Sequence, residues 1–154
     1  MFHSITYGEL NKADLFEIIA DKVRGRENEF ALTVGTDSQS FKRYSKVVTV
    51  IALHHIGKGG IFFYSVERKG KFRDLRTKIY DETLRSLDLS KELLHFLFEA
   101  KIDLEIIVHV DIGMKGRTRD MIQEIVGYVT AEGFDCKVKP DSNTASRIAD
   151  MISK

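Results

Sequence analysis

The sequence predicts an α/β domain built on a five-stranded mixed sheet, with helices on both faces and an additional helix near the N-terminus. The first observation is the order of elements: a helix and three strands, then helix, strand, helix, strand, helix. The second is that 43% of the 154 residues are apolar, which is enough for a packed core. The third is that no repeat or linker divides the chain, so residues 1–154 are expected to form a single domain.

The first part of the chain predicts one helix followed by an antiparallel meander. Residues 12–24 carry apolar side chains at helical spacing, and Asn11 is a candidate N-terminal cap with Gly25 after the end. Runs rich in β-branched residues follow, which is typical of strands. The predicted strands are the run FALTVGTDSQSF from Phe30, residues 46–56 and residues 61–67, with the GKGG turn of 57–60 between the last two.

The second part of the chain predicts alternating helices and strands. Residues 74–100 contain neither glycine nor proline and have helical spacing, so they are expected to form a long crossover helix. A strand reached through such a helix is expected to lie parallel to the first strand of the meander. The remaining predictions are a strand at 104–110, a helix at 117–131 with Gly133 as its C-terminal cap, a strand at 134–139 ended by Pro140, and a closing helix capped by Ser142 or Asn143.

Two aspartates stand where predicted parallel strands end. Asp37 follows an apolar run in VGTDSQS, and Asp111 follows another in VHVDIG. If the two strands are neighbours, these ends lie about 5 Å apart in the pairing direction. Two carboxylates there would repel each other unless a cation lies between them, and Mg²⁺ prefers oxygen ligands of this kind. The alternative for either aspartate alone is a turn or a helix cap.

A third acid interrupts the apolar stripe of the long helix. The stripe runs through Leu75 and Ile79, meets Glu82 and Ser86, and then continues through Leu89. Because a buried carboxylate is costly unless it is paired or binds a metal, Glu82 is predicted to be functional. The competing interpretation is an imperfect stripe in which Glu82 pairs with Lys78 or with Arg85.

A fourth acid could come from the last segment of the chain. Asp141 stands in the loop after the last predicted strand, and Asp150 lies inside the predicted closing helix. Asp141 could instead serve as a charge at a helix N-terminus, and Asp150 could be a surface residue near Arg147. The sequence does not separate the two candidates.

The charge distribution places a basic block beside an acidic one. Residues 40–80 carry ten bases and two acids, whereas residues 81–111 carry three bases and eight acids. Such a pattern is expected of a phosphate-binding surface around a metal site, or of a charged face that balances itself in solvent. The candidate contacts to phosphate, sugar or base are Ser38, Gln39, Lys42, Arg43, Lys46, Arg68 and Lys69.

Four motifs carry a family resemblance over about residues 30–150: GTDSQ at 35–39, LRTKIYDET at 75–83, HVDIG at 109–113 and KPDSNTAS at 139–146. They resemble the YkuK-type family of predicted ribonuclease H-like nucleases. The resemblance implies a ribonuclease H-like fold in which Asp37, Glu82 and Asp111, with Asp141 or Asp150, bind two Mg²⁺ or Mn²⁺ ions. It implies phosphodiester hydrolysis of nucleic acid, DNA or RNA, by a two-metal mechanism.

The alternative to a nuclease is a non-catalytic module that binds nucleic acid or another partner and keeps the fold. Metal dependence would separate the two hypotheses. A cytoplasmic protein without membrane contact is expected, because no apolar run approaches the ~18 residues of a membrane helix and no signal peptide is visible. The single cysteine excludes an internal disulfide.

Overall fold

A computed structural model describes residues 1–113 and 116–139 of the chain. In these ranges it contains seven strands and three α-helices, with short 3₁₀ turns at Glu27–Glu29 and Arg119–Met121. The elements are β1 (Phe2–Ser4), β2 (Gly8–Leu10), α1 (Lys12–Val23), β3 (Phe30–Ser40), β4 (Ser45–His55), β5 (Gly60–Lys69), α2 (Leu75–Glu99), β6 (Ile106–Gly113), α3 (Ile122–Ala131) and β7 (Asp135–Lys139).

The strands form one mixed sheet in the order β2-β1-β5-β4-β3-β6-β7. The pairs β3–β4 and β4–β5 are antiparallel, as the predicted meander requires. β6 lies parallel to β3, and β7 lies parallel to β6. The crossover through α2 therefore places β6 beside the first strand of the meander, and the predicted five-stranded mixed arrangement is confirmed within the larger sheet.

The sheet has seven strands rather than five because the N-terminal residues form a small hairpin, β1–β2. The Ser4 hydroxyl accepts hydrogen bonds from the backbone N–H groups of Thr6 and Tyr7, and Gly8 adopts a φ of +74° that favours glycine. The hairpin joins the sheet where His3 pairs with Tyr64 of β5. Strands of three residues are too short to produce a periodic sequence pattern, which is why the prediction missed them.

The helix boundaries agree with the prediction except at the start of α3. The Asn11 side chain accepts the N–H of Asp14 at 2.7 Å, which confirms it as the cap of α1. The helix predicted at 117–131 begins only at Ile122, after a 3₁₀ turn. The Thr118 hydroxyl accepts the N–H of Gly113 instead of capping the helix.

All three described helices pack against one face of the sheet. Buried side chains of α1, α2 and α3 form a single core with the even-numbered residues of β3 and β6, such as Val34 and Val108. The closing helix predicted after Pro140 lies outside the described residues, so a helix on the other face stays a prediction. Among the residues that the structure describes, no helix combines the length and the apolar character that crossing a bilayer demands.

Candidate metal site

The two strand-borne aspartates lie just past the end of one parallel ladder. β3 and β6 pair from Leu32 with Ile106 through Gly35 with His109, and the same register continued by two residues sets Asp37 beside Asp111. Since neighbours in register share a face, both acids belong to the face away from the helices. The sequence analysis placed both acids at the ends of their strands. In the structure the strands continue past the acids, to Ser40 and to Gly113.

Asp37 is a buried carboxylate. Its side chain is 6% exposed, and its neighbour on β4 is Val48, which is fully buried. β3 remains paired with β4 as far as Ser40, which accounts for the continuation of the strand beyond Asp37. A buried aspartate beside a valine requires compensating polar or cationic groups in the space between β3 and β6.

Glu82 reaches the same region from α2. Its side chain is 5% exposed, its Oε2 accepts a hydrogen bond from the Ser38 hydroxyl at 2.5 Å, and Lys78 Nζ lies 3.4 Å from the same oxygen. Both interpretations of the sequence therefore hold in part, because Glu82 is buried and also pairs with Lys78. Arg85 instead binds Asp81 at 2.7 Å and also contacts Glu67.

Burial raises the pKa of Glu82 to about 7, because the charged form loses water. The positive charge of Lys78 and the Ser38 hydrogen bond act in the opposite direction. The negative charges of Asp37 and Asp111 raise the pKa further, although less than burial does. The carboxylates predicted from the sequence are thus close enough to interact electrostatically.

Small polar residues next to the acids allow α2 to pack closely against β3. The Thr36 hydroxyl forms hydrogen bonds with Ser86 at 2.8 Å and with Thr49 at 3.3 Å. Ser86 is 1% exposed, so this contact is part of the core. The interruption of the apolar stripe at Glu82 and Ser86 therefore marks the place where the helix faces a polar part of the sheet.

Asp111 pairs with a lysine from the edge strand. Lys139 Nζ lies 2.6 Å from Asp111 Oδ1, and Lys139 is the β7 neighbour of Gly113. The pairing of β6 with β7 is irregular between His109 and Gly113. A Cβ on Gly113 would lie 2.9 Å from the Lys139 Cβ, so the glycine of the HVDIG motif permits the close approach of the two strands.

His109 shares the face of Asp111 and is buried, with 4% exposure. Burial, aided by the positive charge of Lys137, lowers the pKa of His109 to about 4, so the imidazole is neutral at pH 7. Within the described ranges its Nδ1 has no hydrogen-bond partner. The structure shows no hydrogen bond between His109 and Asp111.

The three acids differ from a preformed metal site in their arrangement but not in their chemistry. Within residues 1–113 and 116–139, no group of three His, Cys, Asp or Glu side chains is arranged to hold a metal ion. Lys78 and Lys139 supply positive charge to two of the three acids. The chemistry of the donors does fit Mg²⁺ or Mn²⁺, because three neighbouring carboxylates offer hard oxygen ligands. Asp141 and Asp150, the candidates for the fourth acid, lie outside the described residues.

The predicted substrate contacts divide between the two faces of the sheet. Gln39, Lys46 and Arg68 are neighbours across β3, β4 and β5, on the face of Asp37. Lys69 is on the helix face, where it pairs with Asp81 at 3.4 Å. The Ser38 hydroxyl is bound to Glu82. Lys42 and Arg43 are exposed at the turn between β3 and β4.

The sequence analysis missed two residues of this region: Lys139 as a partner of Asp111, and Gly113 as a packing contact. Lys139 lies far from Asp111 in the chain, and only the irregular pairing of β6 with β7 brings the two together. Lys78 was named as a possible partner of Glu82 because it lies one helical turn away.

Comparisons with known proteins agree with this architecture. Residues 14–154 match the family model described as Ribonuclease H-like. The chain is 34% identical, over 170 aligned positions, to the uncharacterized protein YkuK of Bacillus subtilis (strain 168), and the alignment covers 100% of this chain and 97% of that protein. No solved structure matches the chain.

Proposed function

The chain belongs to the YkuK-type ribonuclease H-like family, and from this premise we propose that it is a metal-dependent nuclease that hydrolyses phosphodiester bonds of nucleic acid. The observation that carries the proposal is the meeting of three acids from three separate elements. Asp37 and Asp111 each lie two residues past the last pair of two adjacent parallel strands, and both charges act on buried Glu82 from α2. Repulsion among three carboxylates does not stabilise a fold, so their proximity favours a functional role for them.

Asp37, Glu82 and Asp111 would hold Mg²⁺ or Mn²⁺, with Asp141 or Asp150 as the fourth acid and two ions in all. Metal ions in such sites lower the pKa of a bound water and stabilise the charge on the leaving oxygen. Hydrogen bonds and packing within the chain would hold these carboxylates in place before a metal ion binds. Ser38 orients one oxygen of Glu82 through its hydrogen bond, and the packing of Thr36 against Ser86 holds α2 close to β3.

A cleavage assay with matched variants tests this proposal. Labelled DNA, RNA and hybrid substrates are incubated with Mg²⁺, Mn²⁺ or EDTA. We expect cleavage that needs a divalent ion, and Asp37→Asn should remove it while leaving binding intact. Asp81→Asn is the control, because Asp81 is an acid of α2 that pairs with Arg85 and Lys69 instead. The proposal fails if no substrate is cut with either ion, or if Asp37→Asn cleaves as well as the unmodified chain.

The second candidate function is a non-catalytic module that binds nucleic acid. One specific observation favours it: lysines already neutralise two of the three acids, with Lys139 2.6 Å from Asp111 and Lys78 3.4 Å from Glu82. A module of this kind should bind nucleic acid equally well in EDTA and in Mg²⁺, and no substrate should be cut. Binding that needs the divalent ion would exclude it.

A further inference from the structure

The face that carries Asp37 also carries a row of aromatic and basic side chains leading from the β3–β4 turn. Phe41 and Tyr44 flank the turn. The next level of the sheet is formed by three paired residues of β3, β4 and β5, which are Gln39, Lys46 and Arg68. Asp37 comes next on the same face, by the alternation of β3. We call Phe41, Tyr44, Lys46 and Arg68 the aromatic–basic track.

Planar groups are stacked on one another at the turn end of the track. The rings of Phe41 and Tyr44 are parallel within 19°, with their centroids 5.0 Å apart. The Arg68 guanidinium carbon lies 4.4 Å from the centroid of the Tyr44 ring. The Phe41 N–H donates to the Tyr44 carbonyl at 2.7 Å, which closes the turn and fixes both side chains beside it. Both rings are partly exposed to solvent.

The track leads to the acids within a short distance. Phe41 is four residues beyond Asp37, so at about 3.3 Å per residue the stack lies about 13 Å from Asp37 along the strand. The Lys46 and Arg68 positions fall between them, paired across β4 and β5. A flexible polymer with alternating planar and anionic groups could therefore contact the stack and the acids at the same time.

The two faces of the sheet differ in the partners of their basic side chains. On the helix face, Lys69 pairs with Asp81, and Arg85 binds Glu67 and Asp81. On the opposite face, Arg68 has no carboxylate partner within the described part of the chain, and its contact is the ring of Tyr44. Positive charge is thus available to phosphates on the face that carries Asp37.

We propose that the aromatic–basic track binds unpaired nucleotides and directs single-stranded nucleic acid to the acids. This inference rests on the proposed function, and it narrows the substrate class. Bases in a duplex stack on one another and expose only their edges, whereas an unpaired base offers a free face to an aromatic ring. The stack of Phe41, Tyr44 and Arg68 matches such a face, and DNA and RNA share this chemistry.

Binding without cleavage is the direct test. Fluorescence anisotropy is measured in EDTA for one labelled sequence as single-stranded DNA, single-stranded RNA and duplex DNA. We expect both single strands to bind at least tenfold more tightly than the duplex. Tyr44→Leu should weaken single-strand binding about tenfold, the scale of one lost base–ring contact. Phe98→Leu, which removes a remote, exposed aromatic side chain on α2, should bind normally.

Each outcome separates this inference from the nuclease proposal. Equal affinity for single strand and duplex, or unchanged affinity in both Tyr44→Leu and Phe41→Leu, overturns the inference and leaves nuclease activity open. A clear preference for single strands without cleavage under any metal condition supports the inference and overturns the nuclease. Circular dichroism confirms that each variant is folded. If Tyr44→Leu does not fold, Arg68→Met, which keeps an unbranched stem, provides the same comparison.

Discussion

Asp37 of β3 and Asp111 of β6 each lie two residues past Gly35 and His109, the last pair of the ladder that joins these adjacent parallel strands. The ladder ends at Gly35 and His109, so the acids flank the point where the two strands stop pairing. Glu82 approaches this point from the helix face through its hydrogen bond to Ser38, the residue after Asp37. The two aspartates therefore lie on the face away from the helices, whereas Glu82 comes to them from the helix face.

The acidic region should be stabilised by divalent ions. Anything that binds only the folded chain raises its stability, by about 2.7 kcal/mol at a ligand concentration one hundred times Kd. We expect Mn²⁺ or Mg²⁺ to raise the Tm measured by differential scanning fluorimetry, and Ca²⁺ to serve as a comparison ion. Asp111→Asn should reduce the rise strongly, whereas Asp103→Asn, a change of an acid remote from the site, should leave it unchanged. An equal rise in both variants would contradict a site at Asp111.

The ion pair between Lys139 and Asp111 should compete with metal binding. Removing the lysine leaves Asp111 without the cation found 2.6 Å away, so Lys139→Met should lower Tm in EDTA and increase the rise produced by Mn²⁺. Lys91→Met is the control, since Lys91 forms a comparable pair with Glu132 at 2.9 Å on the helix side of the molecule. If the increase with Mn²⁺ is the same in both variants, Lys139 does not compete for the site.

The fold could be predicted largely from periodicity. The β-branched runs of β3, β4 and β5, the uninterrupted helical spacing of α2 and the short apolar run of β6 define the order of elements, and the crossover rule orients β6. The hairpin of β1 and β2 could not be predicted, because its stability depends on Ser4 hydroxyl contacts and on pairing with β5. The late start of α3 could not be predicted either, because residues 119–121 form a 3₁₀ turn and Thr118 bonds to Gly113, and helical spacing of apolar residues reveals neither feature.

The acids and the pairing of Glu82 with Lys78 could be predicted from positions in the sequence, but the Ser38 and Lys139 partners could not. Glu82 interrupts an apolar stripe, and that interruption indicates burial, which the structure confirms. The Ser38 hydroxyl was expected to contact sugar or phosphate, whereas the structure directs it to Glu82. Ser38 and Glu82 are 44 residues apart in the sequence, so their contact depends on how closely α2 approaches β3. The small residues Thr36 and Ser86 set this distance.

The hydroxyl of Ser38 should contribute to stability through Glu82. Ser38→Ala leaves a buried carboxylate oxygen without its hydrogen-bond donor, which typically costs about 1–3 kcal/mol. Urea denaturation followed by circular dichroism measures the change. Ser40→Ala, at an exposed position of the same strand, should cost much less. Equal losses in the two variants would show that the bond between Ser38 and Glu82 contributes little.

Two glycines should respond in opposite directions to alanine. Gly113→Ala places a Cβ 2.9 Å from the Lys139 Cβ and forces β7 away from β6, so we expect a loss of about 1–3 kcal/mol. Gly127→Ala lies in the interior of α3, where no atom of another element in residues 1–113 and 116–139 comes within 4 Å of the new Cβ, and alanine should stabilise that helix by up to about 1 kcal/mol. Urea denaturation measures both. A loss at Gly127 would contradict the open space beside it, and no loss at Gly113 would show that the strands can separate freely.

Cys136 should react slowly with alkylating reagents. Burial raises the pKa of its thiol to about 11, because the thiolate would lose water, and only the thiolate reacts. At pH 8 a smaller fraction of Cys136 is therefore ionised than of a free thiol with a pKa of about 8.5, and labelling by iodoacetamide should be much slower than that of glutathione. The rate should increase from pH 8 to pH 10 as the thiolate fraction grows, and it should increase sharply in urea, which exposes the residue. Mass spectrometry measures both rates, and labelling of the folded chain as fast as in urea would contradict a raised pKa of this half-buried thiol.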